Sequence, residues 1–163
     1  MNLDTLLNTG LRNLWYPVLP SWRLGEAPLG QLTTAEDTVA APDREVFALV
    51  GDGSYLMLNH EIVTAIQEGL KITIVVADNH GFGCIHNLQR ASGGRSFGNE
   101  FRVRTGKPAR LVGVPVTVDF AANARSLGAD VIEATGIDDF RAAYARAVAS
   151  ERTTVIHIET DPQ

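Results

Sequence analysis

Residues 46–54, Val46-Phe47-Ala48-Leu49-Val50-Gly51-Asp52-Gly53-Ser54, pass from an unbroken apolar run straight into a glycine turn that carries a carboxylate. A β-branched and apolar run without polar alternation is the pattern of a strand buried on both faces of a parallel sheet. The pattern recurs at Ile72-Thr73-Ile74-Val75-Val76-Ala77, which leads into Asp78-Asn79-His80-Gly81-Phe82-Gly83. Open α/β sheets bind ligands beyond the carboxyl ends of their strands, so two such turns at one edge make a site. Carboxylate, amide and backbone carbonyl oxygens suit a hard divalent cation that keeps positions for phosphate oxygens. The glycines allow the backbone to approach a phosphate closely.

Outward from these turns, Leu56, Leu58, Ile62, Val63 and Ile66 are spaced mostly as a helix that ends at Gly69. Residues 79–106 are polar and glycine-rich, with Gly93-Gly94 and the basic residues Arg90, Arg95, Arg102, Arg104 and, just beyond, Lys107. They read as a long loop with a short helix, of the kind that forms active-site lids or binding segments. Asp119 is placed to cap a helix through Phe120, Ala121, Ala124 and Leu127 to Gly128, followed by a strand at Val131-Ile132. A helix from Ile137 to Ala149 carries Phe140, Tyr144 and Val148 on one stripe, and a last strand runs from Thr153 to Ile158. Strands alternating with helices predict a doubly wound, mostly parallel α/β sheet with helices on both faces.

Length and composition agree with that class. A chain of 163 residues, 45% hydrophobic and 20% charged, fits one globular core. The net charge of −5 arises from 19 acidic and 14 basic residues without a basic run, which argues against nucleic acid and an anionic membrane surface as partners. No apolar stretch approaches membrane-spanning length and no secretory leader is evident, so a cytoplasmic location is expected. The single cysteine, Cys84, cannot form an internal disulfide.

The words GDGSYLMLN and DNHGFG, each after its apolar run, resemble the diphosphate-binding domain of thiamine-diphosphate enzymes. The resemblance implies Mg²⁺ held by Asp52, the Asn79 side chain and the Gly81 carbonyl, with thiamine diphosphate contacted by Gly51, Asp52, Gly53, Ser54, Asn79, Gly81, Phe82 and Gly83. Asp78 stands where many members have Asn, while the ligand position is intact as Asn79. From about Ala41 to the C-terminus, including the closing Glu159-Thr160-Asp161-Pro162, the chain is similar to the trihydroxycyclohexane-1,2-dione hydrolase branch of myo-inositol catabolism. That branch implies thiamine-dependent hydrolytic opening of a cyclic 1,2-diketone, with the thiazolium as electron sink. Domains of this type have a further strand, helix and glycine-containing segment before the GDG strand. Residues 41–163 therefore read as a partial cofactor-binding domain, incomplete at its N-terminal edge, and residues 1–40 as a segment outside the family pattern.

Within that segment, Trp15-Tyr16-Pro17-Val18-Leu19-Pro20-Ser21-Trp22 resembles the start of a Rieske-type oxygenase subunit. The Cys and His pairs of such a cluster are absent, so oxygenase function does not carry over. A fused or misassembled reading frame and a docking arm both remain open for residues 1–40. Family members hold the aminopyrimidine in a separate pyrimidine-binding domain, where a glutamate activates the cofactor. The chain is therefore expected to need a partner that supplies this domain, and to be silent alone. The bared flank near Phe47 and Ile74 predicts homo-oligomerisation or aggregation. Alternatives are acetolactate-synthase-like or decarboxylase chemistry on the same site, and a non-catalytic interaction module.

Other constellations carry less. His80, Cys84 and His86 match no standard zinc spacing. Gly81-x-Gly83 lacks the third glycine of a dinucleotide fingerprint, since His86 stands there. Arg102 and Arg104 read as solvated loop residues, His60 and His157 as packing residues of helix and strand, and Cys84 as a small packed side chain.

Overall fold

The computed structural model describes residues 44–95, 97–106 and 110–160, together with the backbone of an antiparallel pairing between Arg23–Leu24 and Ala27–Pro28. The aromatic run at 15–22, Lys107 and the closing Asp161-Pro162 lie outside the described residues. Four strands form one parallel sheet: β1 (Phe47–Gly51), β2 (Thr73–Asp78), β5 (Asp130–Ala134) and β6 (Thr154–Glu159), in the order β1-β2-β6-β5. β2 is buried along its whole length because it lies between β1 and β6. This is the environment that its continuous apolar run requires.

Alternate residues of the strands feed two cores, which puts helices on both faces. Val46, Ala48, Val50, Ile74, Val76 and Val155 pack with Tyr55, Ile62, Ala65, Phe120 and Ala124. These come from helices α1 (Asp52–Leu58), α2 (Glu61–Gln67) and α4 (Phe120–Ser126). On the other face Val75, Ile156 and Ile158 pack with Phe140, Ala143 and Ala147 of helix α5 (Ile137–Ala149). Tyr144 of α5 reaches across to stack on Phe47, ring centroids 5.1 Å apart. Asp119 caps α4 as anticipated, its Oδ1 accepting the Ala122 N–H at 2.7 Å. Gly128, at φ +99°, turns the chain out of that helix.

Three local expectations are corrected. The apolar stripe from Leu56 to Ile66 is not one helix. It breaks at Asn59-His60 into α1 and α2, and only Tyr55, Ile62 and Ala65 turn inward, leaving Leu56, Leu58, Val63 and Ile66 exposed. Val148 likewise points to solvent, the buried stripe of α5 running through Phe140, Ala143 and Ala147. The stretch after Asn79 is not mainly loop. It forms helix α3 (Gly83–Ala91) and an antiparallel hairpin of β3 (Arg102–Thr105) with β4 (Arg110–Pro115), interrupted by a register shift between Arg102 and Arg104. Gly113 is demanded there, since a Cβ would meet the Val103 carbonyl oxygen at 2.6 Å. Among the described residues β1 is an edge strand of the sheet, and no helix is long and apolar enough to cross a membrane.

Candidate metal and diphosphate site

The carboxyl ends of β1 and β2 are adjacent because these strands pair in register, Gly51 opposite Ala77. Asp52, the first residue of α1, is 1% exposed. Its Oδ1 accepts the Gly53 N–H at 2.8 Å and its Oδ2 the Gly81 N–H at 2.6 Å, so the two turns are joined through one carboxylate. Burial pushes the Asp52 carboxyl up to about 6, against the two backbone hydrogen bonds, and the neighbouring Asp78 adds to the rise. A buried carboxylate this reluctant to ionise is one that a cation beside it would return to the charged form.

The second turn is unusually constrained. His80 has φ +62°, uncommon for a residue with a side chain. Its N–H donates to Asp78 Oδ1 at 2.9 Å, an Asx turn that favours such a bend. The Phe82 N–H donates to the Asn99 carbonyl at 2.6 Å and the Phe101 N–H to the His80 carbonyl at 3.2 Å, bridging Gly81 to Glu100. The Gly81 carbonyl, between those two bonded groups, takes no part in that pairing. Side chains have no room at the glycines. A Cβ on Gly81 would lie 2.2 Å from the Asn99 carbonyl oxygen, on Gly83 2.3 Å from Asn79 Nδ2, and on Gly53 2.6 Å from the Phe82 ring. Phe82 in turn meets Phe101 edge-on, centroids 5.9 Å apart.

The Asn79 carbonyl oxygen Oδ1 is enclosed and has no hydrogen-bond partner. Buried polar atoms are nearly always paired, so this unpaired acceptor is free to meet a cation or a donor. The donor set therefore fits a hard divalent cation: an amide oxygen without a partner, a buried carboxylate and a glycine carbonyl around one strand edge.

Of the residues singled out in the sequence, Asp52, Gly53, Gly81 and Phe82 are in direct mutual contact, and Asn79 touches Gly83. Gly51 stands as the extended N-cap of α1 with open space beside it. Ser54 is exposed and lines a separate small cleft with Val50, Tyr55 and Ile74. A cleft of about 130 Å³ opens beside Asn79, Gly81 and Gly83, walled by His86, Asn99 and Phe101.

His80, Cys84 and His86 do not assemble as a ligand set. Among the described residues the one group of three close ligand atoms is Asp78, His80 and Glu159. Arg102 is not a solvated loop residue but lies on β3, donating to the Gly113 carbonyl at 3.2 Å and to Glu100 at 3.0 Å. His60 is exposed at the junction of α1 and α2 rather than packed. His157 does pack, its ring 5.9 Å from that of Phe120, but its Nε2 also lies 3.1 Å from Asp78 Oδ2. Burial would raise the Asp78 carboxyl, yet the His157, His80 and Asp52 interactions together hold it below the usual range. The same hydrogen bond raises His157, against its own burial. The roles of Asp78, His157 and Asn99 carry no local sequence signal, because their partners are distant in the chain.

The geometry can be set beside known proteins. The family model for the C-terminal TPP-binding domain of thiamine pyrophosphate enzymes matches residues 29–158. The chain is 43% identical over 125 residues to 3D-(3,5/4)-trihydroxycyclohexane-1,2-dione hydrolase 1 of Bacillus cereus, covering 77% of this chain and 19% of that protein. It is 42% identical over the same shares to 3D-(3,5/4)-trihydroxycyclohexane-1,2-dione hydrolase of Bacillus thuringiensis (strain Al Hakam). The chain thus spans about a fifth of the length of the relatives it matches. Among solved structures, the thiamine diphosphate-dependent 4-hydroxybenzoylformate decarboxylase of Rhodococcus jostii RHA1 superposes with a TM-score of 0.63 at 22% identity, over 80% of this chain and 22% of that one. Benzoylformate decarboxylase from Polynucleobacter necessarius gives the same score and identity over 79% and 22%. At that identity the likeness is one of fold.

Proposed function

The chain belongs to the thiamine pyrophosphate enzyme family, whose C-terminal cofactor-binding domain it carries, and from that premise we propose that it binds Mg²⁺ and the diphosphate of thiamine diphosphate. The reaction we assign to the whole assembly is hydrolytic ring opening of 3D-(3,5/4)-trihydroxycyclohexane-1,2-dione in inositol catabolism, in the cytoplasm. The observation that carries the metal site is the orphaned Asn79 Oδ1 beside a turn bonded to buried Asp52. Identity to the dione hydrolases supports the substrate class.

In this reading Asp52, Asn79 and the Gly81 carbonyl hold Mg²⁺. Gly53, Phe82 and Gly83 keep the walls of the site close, and Gly51 and Ser54 flank it. Helix α3 begins at Gly83 without a side-chain cap, and the positive end of its dipole favours an anionic oxygen there. Bound there, the cofactor supplies an electron sink for breaking a carbon–carbon bond beside a carbonyl. The pyrimidine half of the cofactor, and the acid that activates it, belong in this reading to a pyrimidine-binding partner region. The 163 residues are then inactive alone and associate with copies of themselves. The test is mixing: dione hydrolysis appears only when the chain is supplied with a pyrimidine-binding partner. Hydrolysis by the purified chain alone contradicts the assignment.

A further inference from the structure

Asp78 occupies the hinge of the second turn without being one of the ligands assigned above. The residue is 2% exposed and its side chain spends both oxygens on protein groups. Oδ1 accepts the His80 N–H at 2.9 Å and Oδ2 faces His157 Nε2 at 3.1 Å. Its backbone carbonyl accepts the Thr160 N–H at 2.7 Å, so the end of β2 is fixed to the end of β6. His157 is itself held from three sides. It lies opposite Val76 on β2 and Glu133 on β5, and its ring rests near Phe120.

The consequence runs through His80. That residue adopts φ +62°, and its neighbours Asn79 and Gly81 are the groups that offer oxygens to a cation. An Nε2–H of His157 donated to Oδ2 restrains the Asp78 carboxylate, which is also in hydrogen-bonding reach of Asp52, and its Oδ1 stays under the His80 amide. The left-handed bend then persists, the Gly81 N–H reaches Asp52 at 2.6 Å, and Asn79 Oδ1 remains turned into its enclosed position. Freed of His157, the carboxylate can turn, and the turn relaxes toward conformations that a histidine prefers.

We infer that Asp78 and His157 form a positioning pair that holds the metal-binding turn in its cation-ready shape. This rests on the Mg²⁺ reading of the site and adds to it two residues outside the ligand set assigned above. Groups that orient metal ligands from behind alter metal affinity by about 10- to 100-fold when removed.

The experiment uses the full chain, with Mn²⁺ as probe in the presence of thiamine diphosphate, at constant pH. Affinity is read by electron paramagnetic resonance or calorimetry. His157→Phe keeps an aromatic ring near Phe120 but loses the donor. His157→Gln restores an N–H within reach of Asp78, and Asp78→Asn keeps an oxygen for the His80 amide. Circular dichroism and a thermal midpoint without metal are taken on each, so that a loss of fold is separated from a loss of affinity. The expected result is wild-type binding, about a tenfold or greater weakening in His157→Phe, and values within about threefold of wild type in His157→Gln and Asp78→Asn. Equal affinity in wild type and His157→Phe overturns the pair while the cofactor reading stands. Equal weakening in His157→Phe and His157→Gln also overturns it, since the hydrogen bond is then not what matters. A folded wild-type chain that binds no Mn²⁺ overturns the cofactor reading, and the pair with it.

Discussion

The Gly81 amide donates to Asp52 Oδ2 at 2.6 Å, and this bond ties the turn that ends β2 to the carboxylate that follows β1. Its geometry leaves no space for a side chain, because a Cβ on Gly81 would lie 2.2 Å from the Asn99 carbonyl oxygen and 2.9 Å from the Glu100 Cα. Gly81→Ala must therefore push the 99–101 segment away. It is expected to cost roughly 1–3 kcal/mol, read as a lower denaturation midpoint at unchanged m-value. An alanine variant as stable as the wild type would show that this turn is not fixed as described.

Metal binding should be coupled to protons through Asp52, whose carboxyl burial raises to about 6. A cation requires the ionised form, so Mn²⁺ affinity should rise with pH and level off above about 6. At pH 5 it should be about tenfold below the plateau. Titrations at several pH values check this, and a flat profile between pH 5 and 7 contradicts it.

Stability of the metal-free chain should move the other way. A raised carboxyl binds its proton more tightly folded than unfolded, so Asp52 favours the folded state at low pH and that advantage is lost as pH rises from about 4 to 6. His157, raised by Asp78, contributes stability fully present below its ordinary value near 6.5 and lost as pH climbs through its folded value. Asp78 is lowered, so its contribution is present above the ordinary carboxylate range and is lost on acidification below it. Thermal melts without metal should thus decline from about pH 4 through neutrality, and Mg²⁺ with thiamine diphosphate should reverse the decline.

Phe120 is 1% exposed and meets Tyr55 edge-on at 5.7 Å as well as the His157 ring. Phe120→Ala should cost about 3–5 kcal/mol in chemical denaturation, as expected for a large core aromatic. A loss below about 1 kcal/mol would mean that the core around α4 collapses freely into the space.

Much of this was legible in the sequence, and the boundary has a physical reason. β1, β2 and α5 were readable because residues such as Val75, Val76 and Phe140 are buried and nothing else in the chain could satisfy those runs. The β3–β4 hairpin was not, because its strands are short and mostly exposed, as Arg104 and Val114 are, and β4 is interrupted by Gly113 and ends at Pro115, so no sustained apolar pattern marks them. The helical spacing through Val63 and Ile66 suggested core, yet those side chains face outward. In the site, Asp52 and Asn79 were singled out from residue types in glycine turns, and Gly81 from the family resemblance. Asp78 with His157 was missed, since no local pattern links residues 79 positions apart.

The outward side chains of Leu56, Leu58, Val63 and Ile66, each about two-fifths exposed, lie on the same helices as the Tyr55 core. Self-association at working concentration is expected through this surface rather than the flank near Phe47 and Ile74, since Ile74 is buried and Phe47 is stacked on Tyr144. Val63→Lys with Ile66→Glu should shift light scattering toward monomer. A wild-type chain that is already a clean monomer contradicts the expectation.

The central claim is tested most directly by calorimetric titration of thiamine diphosphate into the folded chain with and without Mg²⁺, repeated on Asp52→Ala and Asn79→Ala. Binding that requires Mg²⁺ and is lost in both variants is the predicted result. Binding that ignores the metal, or survives unchanged in either variant, would contradict the site described.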